Sequence, residues 1–133
     1  MEMFLSSWRQ QILSLLRIIT GLCLLQFGTA KILKFPTVAM FKDVTVTSWP
    51  GGYAGTLELV LGALLTIGLF TRPAAFILSG LMAFAYFLGH AGNNFFPILN
   101  GGTLAIMFCF ACLYLAAAGP GPLSVDAMLR NKE

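Results

Sequence analysis

Charge is scarce in this chain: its 133 residues include 8 Lys+Arg, 5 Asp+Glu and one His. Charged residues make up 10% and hydrophobic residues 58%, where average soluble domains hold about 25% and about 45–50%. That balance excludes an ordinary soluble domain and a disordered tail. The few basic residues are dispersed, with no basic run interleaved with aromatics, so nothing points to a nucleic-acid partner. One histidine cannot supply bis-His haem ligation, and no H-x-x-E-H, H-E-x-x-H or carboxylate pair offers a metal cage, so no metal site is expected. The absence of G-x-x-x-x-G-K and G-x-G-x-x-G argues against a nucleotide fold.

What the chain has instead is long apolar runs, with a mean hydropathy of +0.85. Four runs stand between Pro, Gly and basic punctuation, at about 12–33, 53–70, 73–89 and 101–118, and they predict a single all-α domain, an integral-membrane four-helix bundle. All six prolines fall at or outside the ends of these runs, where a missing N–H does least harm. The ~10-residue alternating segments of a membrane β-barrel are absent. The first run lacks a basic n-region and a small-residue cleavage site ahead of Arg17, and it reads as a retained helix. Four spans put both termini on one side, with Arg9, Arg72, Arg130 and Lys132, against Lys31, Lys34 and Lys42 on the other; the positive-inside rule makes the termini cytoplasmic. The segment from Phe35 to Gly52 is long for a connection and rich in apolar residues, which predicts a partly interfacial lid.

Helical spacing gives each helix one polar or small stripe, the face expected to turn inward. These are Arg17, Gly21, Leu24, Gly28 and Lys31; Gly55, Glu58, Gly62 and Thr66; Ala75, Ser79, Met82, Tyr86 and His90; and Asn100, Thr103, Met107 and Tyr114. The glycines are explained by close helix packing alone. At a rise of ~1.5 Å per residue, Lys31, Glu58, His90 and Asn100 share the leaflet opposite the termini, and Gln26, Tyr86, Asn93 and Asn94 lie at or near that level.

A carboxylate inside hydrocarbon costs at least ~2.5 kcal/mol, so Glu58 needs a partner, with Lys31 or His90 available, or must stay protonated. Two readings stand for this layer. Glu58 and His90 exchange protons with a bound small molecule, as catalytic groups oriented by Lys31, Asn100, Gln26 and Tyr86; or the same groups form an ion pair or polar plug that orders the helices. Asn100 is equally suited to capping the fourth helix. Arg17 and Arg72 belong near the other leaflet in structural or lipid-contacting roles, Arg17 by snorkelling to a lipid phosphate. Phe84, Tyr86, Phe87, Phe95 and Phe96 gather near the polar layer, where a flat apolar ligand would fit. Cys109-Phe110-Ala111-Cys112 spells C-x-x-C, but counting ~100° per residue from Asn100 turns both cysteines off the polar stripe. With Cys23 they read as small apolar residues.

The combination Arg17-x-x-x-Gly21, Phe27-Gly28-Thr29-Ala30-Lys31, Glu58-x-x-x-Gly62 and Gly68-Leu69-Phe70-Thr71-Arg72-Pro73-Ala74-Ala75 resembles the DoxX family. His90, Asn100-Gly101-Gly102 and the closing run from Leu115 to Asp126 fit its C-terminal half. The resemblance implies a small four-helix protein of the bacterial inner membrane, of a kind commonly labelled an oxidoreductase or a quinol-oxidase-like subunit. It makes quinone the ligand to expect, and the lipid bilayer, further copies of the chain or a membrane redox subunit the partners to expect. With no metal, flavin or dithiol legible, electrons would need a route through such a subunit or a bound cofactor. A non-enzymatic scaffold or accessory subunit is the competing class, and a path for a small solute or proton, lined at its two mouths by Arg17 and Glu58, is a third.

Overall fold

The computed structural model describes residues 2–131. Lys132, one of the basic residues counted on the terminal side, lies outside them. The described chain is all-α. Four longer helices, α2 (Arg9–Gly28), α3 (Gly51–Ile67), α4 (Thr71–Gly89) and α6 (Thr103–Ala118), are joined by three short ones, α1 (Glu2–Ser7), α5 (Pro97–Asn100) and α7 (Val125–Asn131). With the five residues that continue α2, Arg9–Leu33 is long and apolar enough to cross a membrane, as is α4; α3 and α6 are apolar but shorter. The expected fourth run forms α6, and the short α5 precedes it, closed by Gly101 at φ +76°.

Neighbouring long helices run antiparallel, with the broadest contacts between α2 and α3 and between α4 and α6. The first pair meets through small residues. A Cβ on Gly28 would stand 2.6 Å from Leu59 Cα, and one on Gly21 2.6 Å from the Thr66 amide nitrogen, so the backbones touch there. Between α4 and α6, the Ser79 hydroxyl donates to the Cys109 carbonyl at 2.8 Å. Leu13, Leu24, Leu65, Ala75, Leu78, Met82, Cys112 and Leu115 form the core. The inward faces of α2, α3 and α4 follow the expected stripes, whereas that of α6 does not: Ala105, Cys112 and Leu115 are buried, and Thr103, Met107 and Tyr114 are exposed. A phase carried forward from Asn100 does not hold in α6, because the break at Gly101 and Gly102 resets it. The three cysteines are unpaired, and Cys112 is wholly buried in the core.

At one end of the molecule the chain is fastened by charge placed on helix termini. Arg17, 1% exposed, donates to the carbonyls of Leu65 (3.0 Å) and Thr66 (3.4 Å) at the end of α3, and to those of Leu123 (2.7 Å) and Pro120. Snorkelling to a lipid phosphate is therefore corrected. A guanidinium has five donors in a rigid fork, and here it reaches four carbonyls of a helix end and a turn. Arg72 does the same for α6, donating to the carbonyls of Ala116 (3.2 Å) and Ala117 (2.6 Å). The opposite pole is met by Asp126, whose carboxylate accepts from the Phe70 and Thr71 amides, both at 2.9 Å, where α4 begins. Burial pushes this carboxyl up, but the Thr71 and Phe70 amides and the nearby Arg17 outweigh it and hold it below the ordinary aspartate range.

Two outcomes follow from this packing. Gly28→Ala lowers stability by about 1–3 kcal/mol through overpacking, while Gly80→Ala, where nothing lies within 4 Å of the added methyl, does not; thermal unfolding in detergent separates them. Because the folded Asp126 carboxyl is depressed, its contribution is complete above the unfolded value of about 3.9 and is lost as pH falls through the lower folded one. Asp126→Asn therefore lowers the melting temperature at pH 7, and the gap from wild type closes progressively in acid below about pH 4.

Candidate functional site

The opposite end is built around an irregularity in α2. After Gly28 the helix widens into a π-turn, Thr29–Leu33, and stops at Lys34, which is left-handed at φ +60°. The Lys34 ammonium donates to the carbonyls of Lys31 (2.9 Å), Phe41 (2.7 Å) and Val44. Three carbonyls on one cation hold the strap between α2 and α3, with its 3-10 turn Ala39–Phe41, against the end of α2. The strap then covers Lys31: its ammonium lies 5.3 Å from the centre of the Phe41 ring and 5.9 Å from that of Phe27.

Lys31 reaches α3 because Gly55 leaves room for its stem; a Cβ there would stand 2.8 Å from Lys31 Cβ. Its Nζ lies 2.9 Å from Glu58 Oε1, and the two side chains are 14% and 3% exposed. The second carboxylate oxygen, Oε2, is buried without a hydrogen-bond partner among the described residues. Lys31, Glu58 and His90 line one cavity of about 330 Å³, whose walls are apolar and include Phe27, Met40, Phe41, Met82 and Phe108. Small-molecule sites begin at about 300 Å³ and combine apolar walls with a few convergent polar groups.

His90 closes α4, and its Nδ1 lies 3.0 Å from the Asn100 carbonyl oxygen. A carbonyl only accepts, so Nδ1 carries the proton and Nε2 of the neutral ring holds a lone pair. Asn100 is buried, and its amide donates to the Tyr86 hydroxyl (3.1 Å) and the Asn94 carbonyl (2.9 Å) while its oxygen accepts from the Gly102 amide (2.8 Å). Its side chain is thus fully occupied. The Asn100 carbonyl anchors the imidazole, and the Asn100 side chain ties Tyr86 to the same cluster. Gln26 is exposed on the far side of α2, two residues from buried Leu24 and Gly28, and is not brought to the cavity.

The aromatic wall also differs from expectation. Phe84, Phe87, Phe95 and Phe96 are exposed, and Phe27, Phe41 and Phe108 take their place. Phe27 was within reach of helical spacing, one turn before Lys31; Phe108 became legible only once the phase of α6 was known. Lys34 carried no local signal, since its partners come from a strap without periodicity.

A small all-helical protein with an ion pair and an imidazole on an apolar cavity is the class that this geometry defines. The chain belongs to the DoxX family, whose model matches residues 12–91. It is 42% identical over 125 residues to an uncharacterized protein of Haemophilus influenzae, a match that covers 92% of this chain and 93% of that protein. A second uncharacterized protein of the same organism is 32% identical over 74 residues, 56% of this chain and 49% of the relative. No solved structure matches the chain.

The His90 geometry has a direct check. Long-range ¹H–¹⁵N NMR on the neutral ring should find Nδ1 protonated and Nε2 bare; a proton on Nε2 would contradict the bond to the Asn100 carbonyl.

Proposed function

We propose that this chain is a multi-pass protein of the bacterial inner membrane, a four-helix bundle with cytoplasmic termini and a single domain. It binds a flat, oxygen-bearing ring of the quinone class in the cavity beside Glu58, as a component of a membrane redox system. One observation carries the reading: a carboxylate buried among apolar side chains, paired by one oxygen and left free at the other, faces a cavity of ligand size. An orphaned acceptor of this kind costs about 1–3 kcal/mol or more when charged, and a ligand that bonds to it recovers that cost. The apolar walls and the Phe27, Phe41 and Phe108 rings suit a flat ring, which would enter from the lipid.

In this reading each residue has a stated task. Lys31 holds the Glu58 carboxyl group in place, Glu58 and His90 hold or release protons at the ring oxygens, and Asn100 sets the imidazole. Such a ring supplies two-electron chemistry when bound, and the electrons travel onward through a partner subunit or a further bound cofactor. Exposed apolar faces on all four long helices supply the lipid and subunit contacts that this placement requires.

Binding of a short-chain ubiquinone or menaquinone analogue to purified protein in nanodiscs tests the reading. Glu58→Gln and His90→Ala each weaken binding by roughly tenfold, about the worth of a hydrogen bond to a charged or buried group. Wild-type binding in both variants removes the proposal.

A further inference from the structure

Two lysines stand at the cavity end of the molecule, and the chain provides for them differently. An ammonium has three N–H donors. Those of Lys34 go to three carbonyls, of Lys31, Phe41 and Val44, which saturate it. Lys31 donates to Glu58 Oε1 at 2.9 Å, its one hydrogen bond among the described residues, and two donors remain uncommitted. Its other close neighbours are aromatic faces: the Phe41 and Phe27 ring centres lie 5.3 and 5.9 Å from Nζ, near the outer limit of about 6 Å for a cation over a ring. Glu58, Phe41 and Phe27 all line the cavity, as does Lys31 itself. The ammonium therefore sits in the cavity wall where α2, the strap and α3 meet, among side chains that a ligand in the cavity would touch.

A ring that brings an oxygen acceptor meets the spare donors. A hydrocarbon ring of the same outline would cover them and leave them unpaired, which is unfavourable for a buried cation. We infer that Lys31 sets the specificity of the cavity: its ammonium, held at Glu58, donates to a carbonyl-type oxygen of the bound ring. The inference rests on the ring-binding reading above and adds to it the group that recognises the ligand's oxygen. Gly55 belongs to the same device, because a side chain there would press on the Lys31 stem and move the ammonium.

Duroquinone and hexamethylbenzene are suitable probes. They share one outline, methyl groups replace the two oxygens in the second, and the fully methylated dione resists addition of the three free thiols. With wild-type protein in nanodiscs, and after correction for partition into empty discs, the dione should bind at least tenfold more tightly, as a hydrogen bond from a charged donor requires. Infrared difference spectra of dione labelled with ¹³C at its carbonyls should show one bound C=O band at lower frequency than in empty discs. Lys31→Met abolishes that shift and the tenfold preference, and Lys31→Arg, which keeps a charged donor, retains the shift. Loss of the cation leaves Glu58 alone and can prevent folding, so a second measurement uses the intact pair. In protein labelled with ¹⁵N at its lysine side chains, the Nζ resonance missing from Lys31→Arg should move on addition of duroquinone and stay in place with hexamethylbenzene. Equal affinity for the two rings, an unshifted carbonyl, a shift that survives in folded Lys31→Met, or a Lys31 resonance unmoved by bound dione overturns the inference and leaves the ring-binding reading standing. Failure of folded wild-type protein to bind either ring overturns both.

Discussion

The Lys31–Glu58 pair is the interaction around which the rest of the molecule is arranged. Two opposite charges among apolar side chains recover their desolvation only with good geometry, and removing one partner from a buried pair costs about 3–5 kcal/mol. Every irregular feature at that end serves the geometry. The π-turn carries Lys31, Gly55 makes way for its stem, Lys34 binds the strap that covers it, and the Phe27 and Phe41 rings lie against the ammonium. The pair is nonetheless incomplete, because one carboxylate oxygen is buried and unmet. A structural plug alone would be expected to satisfy both oxygens.

The two ends of the molecule treat charge in opposite ways. Around Arg17, Arg72 and Asp126 each ionic group is matched to a helix terminus, cations on carbonyls and the carboxylate on amides, so charge serves to close the ends of helices. Those contacts join the start of α2, the α3–α4 turn and the C-terminal turn, fixing one end firmly. The cavity occupies the other end, where α5, the strap and the end of α4 meet through side-chain bonds rather than continuous helix. Helix ends fastened by charge at one end and a buried polar layer on a cavity at the other is the division of a binding site on a small scaffold.

Much of this was legible in the residues. The apolar runs located the long helices, and the stripe of Arg17, Gly21, Leu24, Gly28 and Lys31 gave the inner face of α2, because an unbroken α-helix propagates its phase. Depth alone brought Lys31, Glu58 and His90 to one level, and they line one cavity. The departures have separate causes. Thr103, Met107 and Tyr114 lie beyond Gly101, where a left-handed residue resets the phase, and Gln26 shares the depth of the layer but not its side of α2. Arg17 was read against lipid because its partners are backbone carbonyls some fifty and a hundred residues away, groups that every residue carries and no composition reveals.

The π-turn at Thr29–Leu33 also bears on how this chain tolerates change in length. Its hydrogen bonds span one residue more than those of an α-helix, so it behaves as a single-residue insertion absorbed without breaking the helix. Deleting one residue there would restore the ordinary ladder and leave the left-handed stop at Lys34 and the strap in phase with α2, while the residues inside the turn, Lys31 among them, would take new positions around its axis. The roof would stay over the cavity, and the cation beneath it would be aimed another way. In this segment spacing is as much a part of the site as identity, and a relative that keeps both lysines and the glutamate but is one residue shorter between Gly28 and Lys34 would present its first lysine differently to the carboxylate.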